Sequence, residues 1–404
     1  MSGRIRCRKF QISNLKLGLR KKQKKMHRGD AEDAETARRK IEAWLELDET
    51  EIGNRNRILT EKMMEIRELK TGTEHERVVE CIDEANGYHG IAAIHSTALG
   101  PAVGGTRVWN YGSFDDALTD VLRLSRGMSY KAATAGLHFG GGKCVIIADN
   151  ARMDRQRVFR AHGRFINYFQ GRFITGEDVG TTPADMEIVR SETQFVAGTM
   201  HGSGDPSPFT ARGVFLAMKA AAELRWNSVE FTGRTVAIQG CGHVGYHLAR
   251  ELHGAGAKLV VADIDCASSD RVVREMGARG VGVDEIFDVE ADIFAPCALG
   301  GILNDATIPR LRVAIVCGAA NNQLGEPRHG DAIEARGIVY VPDYVANAGG
   351  LIHGASEVNP GGHAVPTVDG IYSTTREVLK LAREEKIAAS EAADRFAETR
   401  MRRR

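Results

Sequence analysis

Residues 235–263 read TVAIQGCGHVGYHLARELHGAGAKLVVAD, and this stretch decides the fold. A run of strand character, TVAIQ, enters the turn Gly240-Cys241-Gly242-His243-Val244-Gly245, which has the form GxGxxG. A helical pattern follows and ends at glycine, and a second strand closes on Asp263, eighteen residues after Gly245. A lone GxGxxG carries little, but strand, glycine turn, helix, strand and terminal acid in this order form the dinucleotide fingerprint. Gly240 allows the tight turn, Gly242 lets the backbone approach a pyrophosphate, and Gly245 packs helix on strand. His243 and Val244 open the helix, whose N-terminus stabilises phosphate charge. Asp263 can accept hydrogen bonds from a ribose 2′-hydroxyl and would repel a 2′-phosphate, so the expected cofactor is NAD rather than NADP.

Outward from that unit the alternation continues. Apolar strand-like runs recur at 291–298, 313–320 and 337–343, and residues 207–223 read as one helix. Strands alternating with helices mean βαβ units and a parallel sheet. Upstream, residues 90–99 are strand-like, and GPAVGGTRV (100–108) supplies glycines for close backbone approach. Ser113 with Asp116 resembles a capping box ahead of a helix bearing Ala117, Val121 and Leu124 on one face. CVIIAD (144–149) has strand length, and an amphipathic helix follows at 154–170. The expected fold class is α/β with two domains.

Composition narrows the function classes. Of 404 residues, 43% are hydrophobic and 26% charged, as in ordinary globular proteins. No apolar run approaches the roughly 18–20 residues that span a bilayer. The seven cysteines include no CxxC pair, which fits reduced thiols in a cytoplasmic protein, and the thirteen histidines show no metal-binding spacing. Residues 1–28 hold eleven Lys/Arg and no acid, which leaves 43 basic against 53 acidic residues in the remainder. That acidic body argues against nucleic-acid binding. The tail reads as a solvated extension, and Met63 as an alternative start.

Three ionisable residues stand out by their surroundings in the first half. Lys131 lies at a helix end beside Met128, Lys143 follows three glycines in LHFGGGKCV (137–145), and Asp178 sits in GEDVGT. Lys131 could instead be a helix-end lysine on the C-terminal dipole, and Asp178 a turn cap. A P-loop at Lys143 is rejected, because Cys144 stands where Ser or Thr must hold magnesium. Glycines remove side chains, so the triple glycine is expected to clear room for substrate beside Lys143. Desolvation and a second lysine would lower the pKa of Lys143 and suit it to general-base work.

GPAVGGTRV, RGMSYKAATAGLHFGGGK, ITGEDVGTTPADM, APCALGGILN, GAANNQL and PDYVANAGGLIH, together with the fingerprint, resemble the leucine/phenylalanine/valine branch of the amino-acid dehydrogenases. Glutamate dehydrogenases are its more distant relatives. The likeness runs from about residue 77 to near the C-terminus, and Lys131 and Lys143 keep the family's twelve-residue separation. It implies an N-terminal α/β substrate-binding and oligomerisation domain at 63–206 and a Rossmann NAD domain at 207–365, with the active site in the cleft between them. A C-terminal helical segment at 366–404 would pack back toward the first domain, and 1–62 would be an extension.

By the same resemblance Lys131 binds the substrate α-carboxylate, aided by Gly104, Gly105 and Met128. Lys143 is the catalytic base that activates water, and Asp178 handles protons at the amino group. Thr210 and Asn347 hold the nicotinamide end, and Asn321 lies between substrate carboxylate and cofactor. The pocket corresponds to Val103, Gly176, Leu351 and Gly354. The glutamate branch carries a further lysine near the first glycine motif, and PAVGGTRV (101–108) has none, so an apolar side chain is expected. The implied reaction is NAD-dependent oxidative deamination of an apolar L-amino acid to its 2-oxo acid and ammonium, with leucine and other branched chains favoured. Phenylalanine is the alternative in the family, since glycine at 176 is similar to the phenylalanine enzymes. An NAD-sensing protein with a basic arm is the alternative from another class. A homo-oligomer, often an octamer, is implied, with no membrane partner.

Overall fold

The structure, a computed structural model, describes residues 64–200, 202, 204–358 and 362–402. The 1–62 extension and the alternative start at Met63 lie outside the described residues. The described residues within 66–82 and 86–402 form one compact unit.

The first sheet holds β1 (Glu65–Glu68), β2 (Arg77–Asp83), β3 (Tyr88–Ser96), β4 (Ala102–Val103), β5 (Thr106–Trp109), β6 (Gly140–Ile147) and β7 (Phe173–Ile174). The strand order is β1-β2-β3-β6-β4-β7, with β5 also paired to β6. β6 runs antiparallel to β3 and parallel to β4 and β5. Three helices belong to this part of the chain, α1 (Phe114–Thr134), α2 (Arg155–Tyr168) and α3 (Pro183–Arg190). At α1 the side chain of Ser113 accepts from the Asp116 amide. The reciprocal two-bond box forms at α3 instead, between Thr182 and Asp185.

The strand expected at 144–149 begins four residues earlier and contains the triple glycine. A Cβ at Gly140 would lie 1.9 Å from the Ser96 carbonyl oxygen, at Gly141 2.0 Å from the Ser129 amide nitrogen, and at Gly142 2.6 Å from the Phe173 ring. The glycines therefore clear room for β3, α1 and Phe173, and the expectation that they make space for substrate is corrected. What they do for Lys143 is indirect, since they let its strand run tight beneath α1.

The second sheet follows α4 (Ser207–Trp226). It comprises β8 (Thr235–Gln239), β9 (Lys258–Ala262), β10 (Arg279–Gly280), β11 (Ile293–Pro296), β12 (Ile315–Val316) and β13 (Val339–Tyr340). Every neighbouring pair is parallel, in the order β10-β9-β8-β11-β12-β13. α5 (His243–Gly254), α6 (Cys266–Met276) and α7 (Arg328–Ala335) supply crossovers. Alternate strand residues feed two cores, as period two requires: Val236, Ile238, Val261 and Ile293 enter one, and Ala237, Val260, Ala262 and Phe294 the other.

The chain then forms α8 (Asp343–Ala346), α9 (Gly349–Gly354), α10 (Gly370–Glu385) and α11 (Ala389–Arg402). α11 lies against α1: Tyr130 donates to Glu398 at 3.0 Å, and Arg400 Nη1 donates to the Ala133 and Thr134 carbonyls at 3.0 and 2.9 Å. Among the described residues no helix is long and apolar enough to cross a membrane.

Candidate active site

The glycine turn after β8 has the geometry its spacing foretold. Gly240 has φ +95°, and a Cβ there would press on Ala298 at 2.8 Å. A Cβ at Gly245 would lie 1.9 Å from the Gly240 carbonyl oxygen, so helix and strand touch through it. A Cβ on Gly242 would meet nothing within 4 Å, which leaves the backbone open to a ligand. Gly242 is the N-cap of α5 and brings no side chain to the cap, so the first amides of the helix, at His243 and Val244, face a ligand position. Asp263 closes the cradle, accepting from the Cys241 amide at 2.5 Å and the Asp265 amide at 2.8 Å. A fixed carboxylate beside an open glycine and an uncapped helix end fits a dinucleotide.

The residues expected to hold a nicotinamide ring lie around α8 and α9. Asn347, 4% exposed, donates through Nδ2 to the Ala319 carbonyl at 3.0 Å and to Asn321 Oδ1 at 2.8 Å. Its Oδ1 is buried and has no hydrogen-bond partner among the described residues, which suits it to accept from an amide N–H donor such as a carboxamide. Thr210 Oγ1 donates to the Pro206 carbonyl at 3.0 Å. Gly349 and Gly350 bring α9 against this point, since their Cβ atoms would lie 2.0 Å from the Phe209 carbonyl oxygen and 2.5 Å from Thr210 Oγ1.

Asn321 joins the two halves of the site. Lys131, in the last turn of α1, donates from Nζ to Asn321 Oδ1 at 3.2 Å. Burial draws the Lys131 ammonium down to about 8, against the pull of Asp343 and with the repulsion of Lys143. Burial also pushes the Asp343 carboxyl up, offset in part by Lys131 and by the Asn322 amide, which donates to it. Sequence reasoning missed Asp343, whose signal was an acid in PDYVANAGG.

Lys143 is 6% exposed on β6, and its Nζ stands 3.2 Å from Asp178 Oδ1. Asp178 lies in the turn after β7, where its amide donates to Thr181 Oγ1 at 2.8 Å. Arg107 donates from Nε to Asp178 Oδ2 at 2.9 Å, a contact the sequence did not reveal. Burial pushes the Asp178 carboxyl up, but the Lys143 ammonium and the Arg107 guanidinium outweigh it and hold it below the usual range. Behind these strands Thr106 Oγ1 bonds His162 Nε2 at 2.7 Å and Thr175 Oγ1 at 2.6 Å, and Tyr88 bonds His162 Nδ1 at 2.9 Å. Burial lowers His162 to about 3, so the imidazole is neutral and the network ties β3, β5, α2 and the end of β7 together.

The remaining expected residues sort by what surrounds them. Gly104 and Gly105 are packing positions: their Cβ atoms would lie 1.7 Å from the Gly142 carbonyl oxygen and 2.3 Å from that of Glu177. Met128 is half-buried on α1. Val103 is buried in the main core, and Leu351 packs against the same cluster. Gly176 and Gly354 differ, because among the described residues a Cβ on the first would meet only Ala197 at 3.6 Å and on the second nothing within 4 Å. Among the described residues no group of three His, Cys, Asp or Glu is placed to hold a metal ion.

Comparison with known proteins gives the arrangement a family. The model described as Glu/Leu/Phe/Val dehydrogenase, dimerisation domain, matches residues 75–195, and that described as Glutamate/Leucine/Phenylalanine/Valine dehydrogenase matches 202–277 and 268–364. A leucine dehydrogenase of Geobacillus stearothermophilus is 50% identical over 343 residues, which cover 84% of this chain and 94% of the relative. An L-tryptophan dehydrogenase of Nostoc punctiforme is 47% identical over 330 residues, covering 81% and 93%. The crystal structure of L-tryptophan dehydrogenase from that organism superposes with a TM-score of 0.72 at 44% identity, over 81% of this chain and 96% of that one. With these matches, the chain belongs to the glutamate/leucine/phenylalanine/valine dehydrogenase family and is an amino-acid dehydrogenase.

Proposed function

We propose that the chain catalyses NAD-dependent oxidative deamination of an apolar L-amino acid, leucine and other branched chains first, to its 2-oxo acid and ammonium, and the reverse reductive amination. The observation that carries this reading is the Lys143–Asp178 pair at 3.2 Å, with Lys143 buried and a second lysine of lowered pKa acting on both. Lys131 supplies the ammonium that grips the α-carboxylate. Asp178 takes a proton from the substrate amino group, which frees the nitrogen lone pair to form the imine as hydride leaves Cα. When bound, NAD supplies the hydride acceptor at its nicotinamide ring. Lys143 takes one proton of the water that adds to the imine carbon, and Asp178 returns its proton to the nitrogen. As the C–N bond breaks and the carbonyl forms, the hydroxyl proton passes to the Asp178 carboxylate and from there to the departing ammonia, which leaves as ammonium. Lys143 and Asp178 share a hydrogen bond, so the two groups that handle protons stand in direct contact.

Two further points belong to this reading. Asp263, which faces the open Gly242, supports NAD over NADP, since a 2′-phosphate beside a carboxylate is repelled. The dimerisation-domain description of the family model supports a homo-oligomer. Phenylalanine is the second substrate reading, favoured by the free space at Gly176 and Gly354. The test is Lys143→Ala: NADH formation from L-leucine and NAD at alkaline pH is expected to fall by about 10²-fold or more. An unchanged rate would sink the mechanism.

A further inference from the structure

We infer that Arg107 is a positioning residue for this reaction, fixing Asp178 toward Lys143 and placing a permanent positive charge behind the pair. The inference rests on the role proposed above for Asp178. Arg107 lies on β5 in register with Val145 of β6, and Lys143 is two residues before Val145, so Arg107 and Lys143 share one side of the sheet. From there the guanidinium spans two carboxylates. Nε donates to Asp178 Oδ2 at 2.9 Å and Nη1 to Asp120 Oδ2 at 3.0 Å, while Tyr111 donates to the same Asp120 oxygen at 2.6 Å. Asp120 and Tyr111 thereby aim the fork, and the fork holds one Asp178 oxygen so that the other meets Lys143.

The need for such a group follows from the charges around Asp178. Lys143 faces it from β6, Arg107 from β5, Lys131 from α1, and Tyr111 from the segment after β5. Lys143 must be neutral to take a proton from water, and Lys131 is drawn down to about 8 by burial. A guanidinium cannot be deprotonated in a protein, so Arg107 is the cation in this set that stays charged throughout the cycle. It keeps the half-buried Asp178 carboxylate paired while Lys143 is neutral.

The test is the pH dependence of kcat/KM for L-leucine with saturating NAD. The rising, acidic limb reports the proton that must leave the site before water can be activated, and removing a fixed positive charge beside Asp178 makes the site hold that proton more tightly. Arg107→Gln is expected to move that limb up by about one pH unit. Arg107→Lys, which keeps the charge, is expected to bring it at least halfway back. Asp120→Asn removes a negative charge and leaves Arg107 to Asp178, so its limb stays or moves down; this variant decides the matter if Arg107→Gln does not fold. Lower turnover in Arg107→Gln with an unshifted limb, or a raised limb in Asp120→Asn, would overturn the inference alone. Wild-type turnover in Asp178→Asn would overturn the role of Asp178 and the inference with it.

Discussion

Lys131 offers the most quantitative prediction. Its ammonium is drawn down to about 8 by burial, before any substrate arrives. If it grips the α-carboxylate, binding is present below that pH and lost above it. With a pKa near 8, roughly half of the sites carry the charge at pH 8, about a tenth at pH 9 and about a hundredth at pH 10. The suitable ligand is 4-methylpentanoate, which is apolar, is ionised across this range and has no amine of its own to titrate. Calorimetric titration of the NADH complex is expected to give a dissociation constant that is flat below about pH 7 and rises nearly tenfold per unit above about pH 9. Lys131→Met should abolish that pH dependence. It should also weaken binding at pH 7 by the worth of one charge-assisted hydrogen bond, about 1.5–3 kcal/mol, or roughly ten- to hundredfold. A constant dissociation constant between pH 7 and 10, or wild-type affinity in Lys131→Met, would refute the assignment.

Two substitutions test the glycines in opposite senses. Gly141→Ala places a Cβ 2.0 Å from the Ser129 amide nitrogen, so β6 and α1 must separate; a loss of about 1–3 kcal/mol is expected in a denaturant melt, and unchanged stability would remove the packing role. Gly176→Ala meets only Ala197 at 3.6 Å and should fold normally, yet lower kcat/KM for phenylalanine relative to valine by about tenfold; an unchanged ratio takes position 176 out of the pocket.

The second sheet was legible because its signals are local. Strand, turn and helix of the cradle occupy consecutive residues, and the three glycine roles follow from a turn whose φ and clearances the chain itself sets. The first sheet was legible only in outline. GGGK reads as a loop in isolation, and it is a strand because Ser129 and Phe173, distant in sequence, leave no room for side chains there. The same holds in the site. Lys131, Lys143 and Asp178 could be singled out by their surroundings and by family likeness, but the environment that draws Lys131 down includes Asp343, more than two hundred residues away. Arg107 stood in a quoted motif, yet nothing in its neighbours announced that its fork would reach two acids on separate elements.

The central claim is that this site oxidises apolar L-amino acids. Its most direct test is kcat/KM with NAD across L-leucine, L-valine, L-isoleucine, L-phenylalanine and L-glutamate. The account predicts leucine and its branched relatives at the top, phenylalanine below them, and glutamate lowest for want of a partner for its side-chain carboxylate. A profile led by glutamate, or no NADH from any of the five, would contradict it.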